Sequence, residues 1–464
     1  MTSTKKRLAI TEGPIFIKML RYSIPVMLTS VLQTLYNMAD NAVVGQFSGD
    51  PNALGSVGST SSLYNLILNL MLGVSIGTSV AVAQAYGAKN EKLVEKVSHT
   101  ALSFSLIAGL LLMVGALIAS KPVLVLMGTR PILLDGAVLY LRIICLGLPA
   151  SAVYNVAAGT LRSVGDSRTP MIILMCTGLV NVGLNLLFVC GFGMTVEGVA
   201  IATITAQYLS AISMVYVLWR RRSECYGFSF KKICIDASQL KRILMLGVPA
   251  ALQNVAFSLS NVLLVSGVNT LGDHAVKANT IATQVDAITY IAATSFGTAA
   301  MVFAGQNYGA KKYNRIKRVL GCGIIQATIF GISAGILFLT FSDQVSSIFI
   351  SAADPNKAEI LAITKGLITV ILSTYFLCGI MGIVSSVLRG LGYSLSPMII
   401  AIVTICGIRI TWRYIVFPTE TFNSLPGLYT CFPVSWIVAT LCYLALFIYA
   451  WHKIKKSKSD NLLK

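Results

Sequence analysis

Gln33, Tyr36, Asn37 and Asp40 share one face of the first long apolar stretch, because residues three and four apart are neighbours on a helix. Three can donate or accept hydrogen bonds, and the fourth is a carboxylate. Such a stripe cannot face lipid. It must face protein or a water-filled cavity, and an ionisable group there is a candidate for carrying an ion or binding a substrate. Neutral polar groups and apolar walls around a carboxylate disfavour its charged form through desolvation, so it can take up a proton. The alternative is an Asp that is permanently hydrogen-bonded and holds helices together.

A second acid repeats the pattern. Asn279, Thr283, Asp286 and Tyr290 are spaced four, three and four apart in a later apolar stretch. Arg409 and Arg413, four apart, stand in a third. Two readings of Asp286 follow: a charge that couples ions or binds substrate, or half of a structural ion pair with one of these arginines. Asn155 beside Tyr154, and Asn254, Ser258 and Asn261, either line a cleft or join helices.

The elements that must position these groups are membrane spans. Hydrophobic residues make up 55% and charged residues 11%, against roughly 25% charged in soluble domains. Twelve apolar stretches have the length a helix needs to cross hydrocarbon: 15–46, 53–83, 94–120, 132–160, 169–191, 194–219, 241–269, 276–306, 317–342, 358–389, 396–417 and 428–451. No ten-residue alternation of a membrane β-barrel is present.

The net charge of +19 does not mark a nucleic-acid binder, because of where it falls. Lys5, Lys6, Arg7, Lys89, Lys92, Lys96, Arg220, Arg221, Arg222, Lys231, Lys232, Lys311, Lys312, Lys455 and Lys456 all fall on one side of an alternating topology. That is the positive-inside bias, which puts both termini in the cytoplasm. At about 1.5 Å per residue, Asp40 then lies roughly 28 Å beyond Arg21, and Asp286 about 13 Å inward from Lys277, both in the outer half of the membrane.

The chain also repeats itself. Gln84-Ala85-Tyr86-Gly87-Ala88-Lys89 recurs as Gln306-Asn307-Tyr308-Gly309-Ala310-Lys311, 222 positions later. Leu161-Arg162, Gly165, Ser167 and Pro170-Met171 recur as Leu388-Arg389, Gly392, Ser394 and Pro397-Met398, 227 positions later. Pro25 matches Pro249 at 224. Both turn motifs suit helix ends: Gly closes a span, and Pro opens the next, where its missing N–H is harmless. The spacing predicts an N-lobe over 1–219, a cytoplasmic linker over 220–242, and a C-lobe with a basic tail over 243–464. Six spans per half give the halves the same orientation.

Enzyme chemistry finds no support. Gly73-Val74-Ser75-Ile76-Gly77 matches a nucleophile motif that needs a strand–turn–helix elbow, yet it lies inside an apolar span. His99, His274 and His452 are isolated, the ten cysteines are scattered, and no P-loop or dinucleotide fingerprint is present. No metal site and no cofactor are expected, so energy must come from an ion gradient.

Tyr36-Asn37-Met38-Ala39-Asp40 with Val44-Gly45, the paired Gln-x-Tyr-Gly-Ala-Lys, the paired Leu-Arg-x-x-Gly-x-Ser-x-x-Pro, and Asn181-Val182-Gly183-Leu184-Asn185 followed by Gly198–Thr203 together resemble the multidrug and toxic compound extrusion (MATE) transporters, over essentially the whole chain. The resemblance implies an all-α membrane protein, with twelve transmembrane helices in two pseudo-symmetric six-helix lobes around a central cleft. It implies export of small organic compounds, cationic and multidrug-type, against an inward flow of H+ or Na+. The cation or proton site would be Asp40, Asn181, Asn185 and Thr203. Asn185 stands where family members with this site carry a carboxylate, which favours H+ over Na+. The C-lobe carboxylates of the family's other site are missing, with Cys378 near one of their places. Substrate-cleft positions would be Gln33, Tyr36, Asn37, Asn155, Asp286, Tyr290 and Arg409. The expected partners are substrates and membrane lipid, with no nucleic acid and a monomeric chain. A lipid-linked precursor flippase of related architecture is the alternative; Arg142, Arg409 and Arg413 are its motive.

The depths are consistent with that site. At about 1.5 Å per residue, Asn185 is roughly 23 Å beyond Pro170 on a span running outward, and Thr203 about 9 Å inward from Glu197. Both match the depth of Asp40.

Overall fold

The computed structural model describes residues 8–347 and 356–462. Lys5, Lys6 and Arg7 lie outside the described residues. Helices dominate the described chain, and no strand occurs among the described residues. In a bilayer this is required, because every backbone N–H and C=O must be satisfied within its own segment. The first three spans are α1 (Ile15–Phe47), α2 (Ala53–Gly87) and α3 (Glu91–Leu126). A bent pair, Pro131–Cys145 and Leu148–Ser163, forms α4; α5 (Arg168–Gly191) and α6 (Val196–Arg220) complete the first half. The second half runs α7 (Ala237–Leu271), α8 (Asp273–Gly309) and α9 (Tyr313–Thr340). The bent pair Lys357–Ser373 and Tyr375–Gly390 forms α10, followed by α11 (Leu395–Val416) and α12 (Leu425–Lys456). Counting each bent pair as one span gives the twelve expected crossings.

The bends were not expected, and their causes are local. The 45° break in α4 precedes Pro149. Pro149 has no N–H and its ring crowds the carbonyl four residues back, on Cys145, the last residue of the first half. The 41° break in α10 falls at Thr374, whose hydroxyl bonds back to the carbonyls of Val370 (2.9 Å) and Ile371 (3.2 Å). Back-bonding of this kind bends helices. Wide π turns end α5 at Leu187–Gly191 and α11 at Trp412–Val416, and a third interrupts α11 at Ile402–Cys406.

The repeated motifs fold alike, though not quite as their residue types suggest. Gly87 and Gly309 end their helices, but the left-handed residues are Lys89 and Lys311, both at φ 55°. Asn90 N–H then reaches the Ala85 carbonyl at 3.1 Å, and Lys312 N–H the Asn307 carbonyl at 2.9 Å. These six-to-one bonds close the helix ends and hold two lysines in a conformation glycine would adopt at less cost. In the other motif the left-handed residues are the glycines, Gly165 at φ 93° and Gly392 at φ 100°. Pro170 and Pro397 stand third in their helices rather than first. Their missing N–H groups are still harmless, since the first four N–H groups of a helix have no partner within it.

The chain packs as two compact units. The first is built on Ile24–Ala251, so it includes the linker and the opening turns of α7. Glycines explain how α7 joins it. A Cβ on Gly73 would stand 2.7 Å from the Gly247 carbonyl and 2.6 Å from Ala251 Cβ, and one on Gly77 would strike the Ile243 carbonyl. Close backbone approach is the work of this Gly-x-x-x-Gly pair. The linker docks on the start of α3. Ser229 N–H donates to His99 Nε2 at 3.1 Å and Asp236 N–H to Thr100 Oγ1 at 3.1 Å, while Phe228 stacks on His99 at 5.3 Å. Lys232 pairs with Glu95 and Lys96 with Asp236.

The second unit holds Leu252–Tyr308 and Lys312–Lys464, together with Glu12–Ser23 at the start of α1. Gln326 Nε2 donates to the Phe16 carbonyl at 2.6 Å, Arg315 to the Gly13 carbonyl at 3.0 Å, and Tyr22 meets Phe303 edge to face. Gly331 and Gly335 let α9 approach the backbone of α10 at Phe376 and Leu372.

Candidate functional site

In the first unit, α1, α5 and α6 bring Asp40, Asn181, Asn185 and Thr203 together. Asn185 Nδ2 donates to Asp40 Oδ1 at 2.5 Å and to Asn181 Oδ1 at 3.4 Å. Asn181 Nδ2 reaches Thr203 Oγ1 at 3.4 Å, and Thr203 Oγ1 lies 3.1 Å from Asp40 Oδ2. The four side chains therefore close a ring. Asp40 is 7% exposed and Asn185 is fully buried. Among the described residues, Asp40 makes no ion pair. The walls are apolar: Val43 and Val44 follow on α1 and join a core with Val199 and Ala200 of α6.

Two details give the ring its chemistry. Thr203 has one hydroxyl hydrogen and two acceptors, Asp40 Oδ2 and the Val199 carbonyl at 2.9 Å. An ionised Asp40 draws that hydrogen, and a protonated Asp40 releases it to Val199. Asn185 Oδ1 is buried with no hydrogen-bond partner. An orphaned buried acceptor costs free energy until a proton-bearing group or cation reaches it. Asn185 is also the last but one residue before the wide turn at Leu187–Gly191, a type of irregularity that gathers at functional sites.

The remaining stripe on α1 is divided. Tyr36 lies in a notch on α5, where only Gly178 leaves room for its ring, and its hydroxyl donates to the Met175 carbonyl at 3.1 Å. Gln33 and Asn37 are exposed. Asn155 bonds back to the Ser151 carbonyl of its own helix at 2.9 Å and takes no part in the ring. Residue types and spacing did not reveal the Gly178 notch or the bond from Gln207 to the Tyr64 hydroxyl, 3.0 Å long.

In the second unit, Asp286 is half-buried and Tyr290 exposed. The Tyr375 hydroxyl stands 3.5 Å from the Asp286 carbonyl oxygen. The ion pair considered for Asp286 with Arg409 or Arg413 does not form. Arg409 instead donates through Nη1 to Asn261 Oδ1 at 2.7 Å and lies over the Phe432 ring, 3.9 Å from its centroid. Arg413 packs against Tyr414 and Phe417, and Arg142 donates to Ser120 Oγ at 3.2 Å. Arg142 and Arg409 thus each donate to a neutral group on another helix, and Arg413 packs on two aromatic rings near it in sequence. Asn279 accepts from the Tyr429 hydroxyl at 2.6 Å.

The MatE family model matches residues 25–187 and 249–415. The chain is 29% identical over 438 residues to the probable multidrug resistance protein YoeA of Bacillus subtilis, covering 93% of each. It is 27% identical over 410 residues to the probable multidrug resistance protein NorM of Thermotoga maritima, covering 86% of this chain and 85% of that one. Among solved structures, a MATE protein in the bent conformation superposes with a TM-score of 0.89 at 23% identity, over 98% of this chain and 100% of the other. That likeness shows the fold.

Proposed function

The chain belongs to the MatE family, and from that premise we propose that it is a secondary active multidrug exporter driven by cation antiport, with H+ favoured over Na+. The carrying observation is the Asp40 ring: one buried carboxylate, no cationic partner among the described residues, and three neutral neighbours from two other spans. Burial disfavours the ionised carboxylate, and its two accepted hydrogen bonds favour it. A group balanced in this way can exchange a proton. A tightly held Na+ asks for more negative charge than one carboxylate brings, and here the second acid is replaced by Asn185.

In this reading a proton from outside neutralises Asp40, the Thr203 hydroxyl turns to Val199, and the contacts of α1 with α5 and α6 change. Substrate leaves outward, proton release to the cytoplasm resets the site, and the substrate route opens to one side of the membrane at a time. The named relatives support organic, multidrug-type substrates. The positive-inside charge supports a cytoplasmic-membrane location with both termini inside.

The test is Asp40→Asn in an export-deficient bacterial host. Drug resistance should disappear while the amount of protein in the membrane is unchanged. Unchanged resistance would overturn the mechanism. Dye uptake into everted vesicles should follow an imposed pH gradient, lumen acidic, and persist without sodium; strict sodium dependence would reverse the ion assignment.

A further inference from the structure

Arg409 lies inside a membrane span, 6% exposed, and among the described residues no carboxylate pairs with it. Its direct contacts are neutral, the Asn261 amide oxygen on Nη1 and the face of Phe432, while the Asp286 carboxylate acts on it only at longer range, without an ion pair. Neither direct contact carries the opposite charge that a buried guanidinium calls for. Nε is buried without a hydrogen-bond partner. Nε and Nη2 form the edge of the guanidinium that grips a carboxylate with two parallel bonds. Stacking on Phe432 uses the face of the group and Asn261 uses Nη1, so neither occupies that edge.

The backbone is built for the position. Arg409 sits in the short segment Gly407–Thr411 between the wide turns Ile402–Cys406 and Trp412–Val416. Asn261 is exposed, so the pair lies next to the surface of the second unit. The duplication sharpens the point. Asn261 stands where Asn37 stands in the first half, at the 224-residue spacing of Pro25 and Pro249. The first unit, for its part, holds a buried anion, Asp40, whose amide partner is Asn185 on α5. The second holds a buried cation with an amide partner on α7.

We propose that Arg409, Asn261 and Phe432 form a carboxylate-binding site within the second unit, which takes the carboxylate of an amphiphilic substrate. The word substrate rests on the exporter reading; the binding chemistry does not.

The test uses the full chain in nanodiscs, titrated with benzoate, benzamide and chloride. Trp436, edge to face with Phe432 at 5.5 Å, serves as the fluorescent reporter, with calorimetry alongside. Benzoate should bind, and neutral benzamide should bind at least about tenfold more weakly. Arg409→Lys keeps the charge but loses the fork, and should weaken benzoate by a similar factor. Should that variant fail to fold, Asn261→Asp supplies an internal counter-charge and should abolish benzoate binding. Equal binding of benzoate and benzamide, or wild-type binding by the folded variants, would overturn the site. Competition by equimolar chloride would make it an inorganic-anion site and remove the substrate carboxylate from the proposal. Asp40→Asn should bind benzoate normally even where it no longer exports, which separates this site from the proton-coupling reading.

Discussion

At the scale of single residues, the ring around Asp40 makes distinct demands on each member. Asn185→Asp adds a second carboxylate, so export should become sodium-responsive; efflux with and without sodium at fixed pH checks this, and an unchanged response would show that Asn185 does not select the ion. Gly178→Val must push the Tyr36 ring out of its notch, since even a methyl group would overlap it. Efflux should fall sharply with the protein still inserted, and Gly178→Ala should show a smaller loss. Asp166 offers a test outside the membrane. Desolvation raises its pKa, but hydrogen bonds from Thr169 and Arg221 outweigh that and hold the carboxyl below its usual range. Because the folded value is depressed, its stabilisation is complete above the ordinary aspartate value near ~3.9 and disappears as pH falls through the lower folded one. The 2.7 Å contact with Arg221 is charge-assisted, so Asp166→Asn should cost roughly 1.5–3 kcal/mol at neutral pH. The variant's thermal stability should also fall less than the wild type's on acidification below that range.

At the scale of elements, glycine and linker contacts decide how helices meet. A Cβ on Gly77 would collide with the Ile243 carbonyl, and backbone cannot swing aside as a side chain can. Gly77→Ala should therefore destabilise by about 1–3 kcal/mol, readable as a lower midpoint in detergent. Gly58, with open space around it, should tolerate the same change. The linker depends on His99. Its Nε2 accepts from Ser229 N–H, so the ring proton sits on Nδ1, facing the Glu95 carbonyl at 2.9 Å. His99→Ala removes both bonds and the stacking with Phe228. Trypsin should then cut after Lys231 and Lys232 faster than in the wild type; equal rates would mean that the ion pairs alone hold the linker.

At the scale of the whole molecule, the inside-positive charge and the twelve crossings make a topological claim. Cys234, exposed in the linker, should react with an impermeant maleimide in everted vesicles but not in intact cells, in a variant whose other cysteines are replaced. The duplication adds a second claim, that the two halves share one plan and differ in charge. The turn motifs have the same backbone geometry, left-handed at Lys89 and Lys311 and again at Gly165 and Gly392. The buried charges in the two units have opposite sign, Asp40 in one and Arg409 in the other.

The span count, the duplication and the common level of Asp40, Asn185 and Thr203 were legible in the residues, because helical rise converts sequence position into height along a span. Depth says which groups lie at one level; it does not say which touch. Contact of Asp40 with Asn185 and Thr203 depends on how α1, α5 and α6 turn about their own axes, and packing across three helices sets that rotation. Arg409 shows the difference plainly. Charge and spacing offered Asp286 as its partner, and packing turned the guanidinium onto Asn261 and Phe432 instead. The bends in α4 and α10 and the Gly178 notch likewise depend on neighbours brought close only by folding.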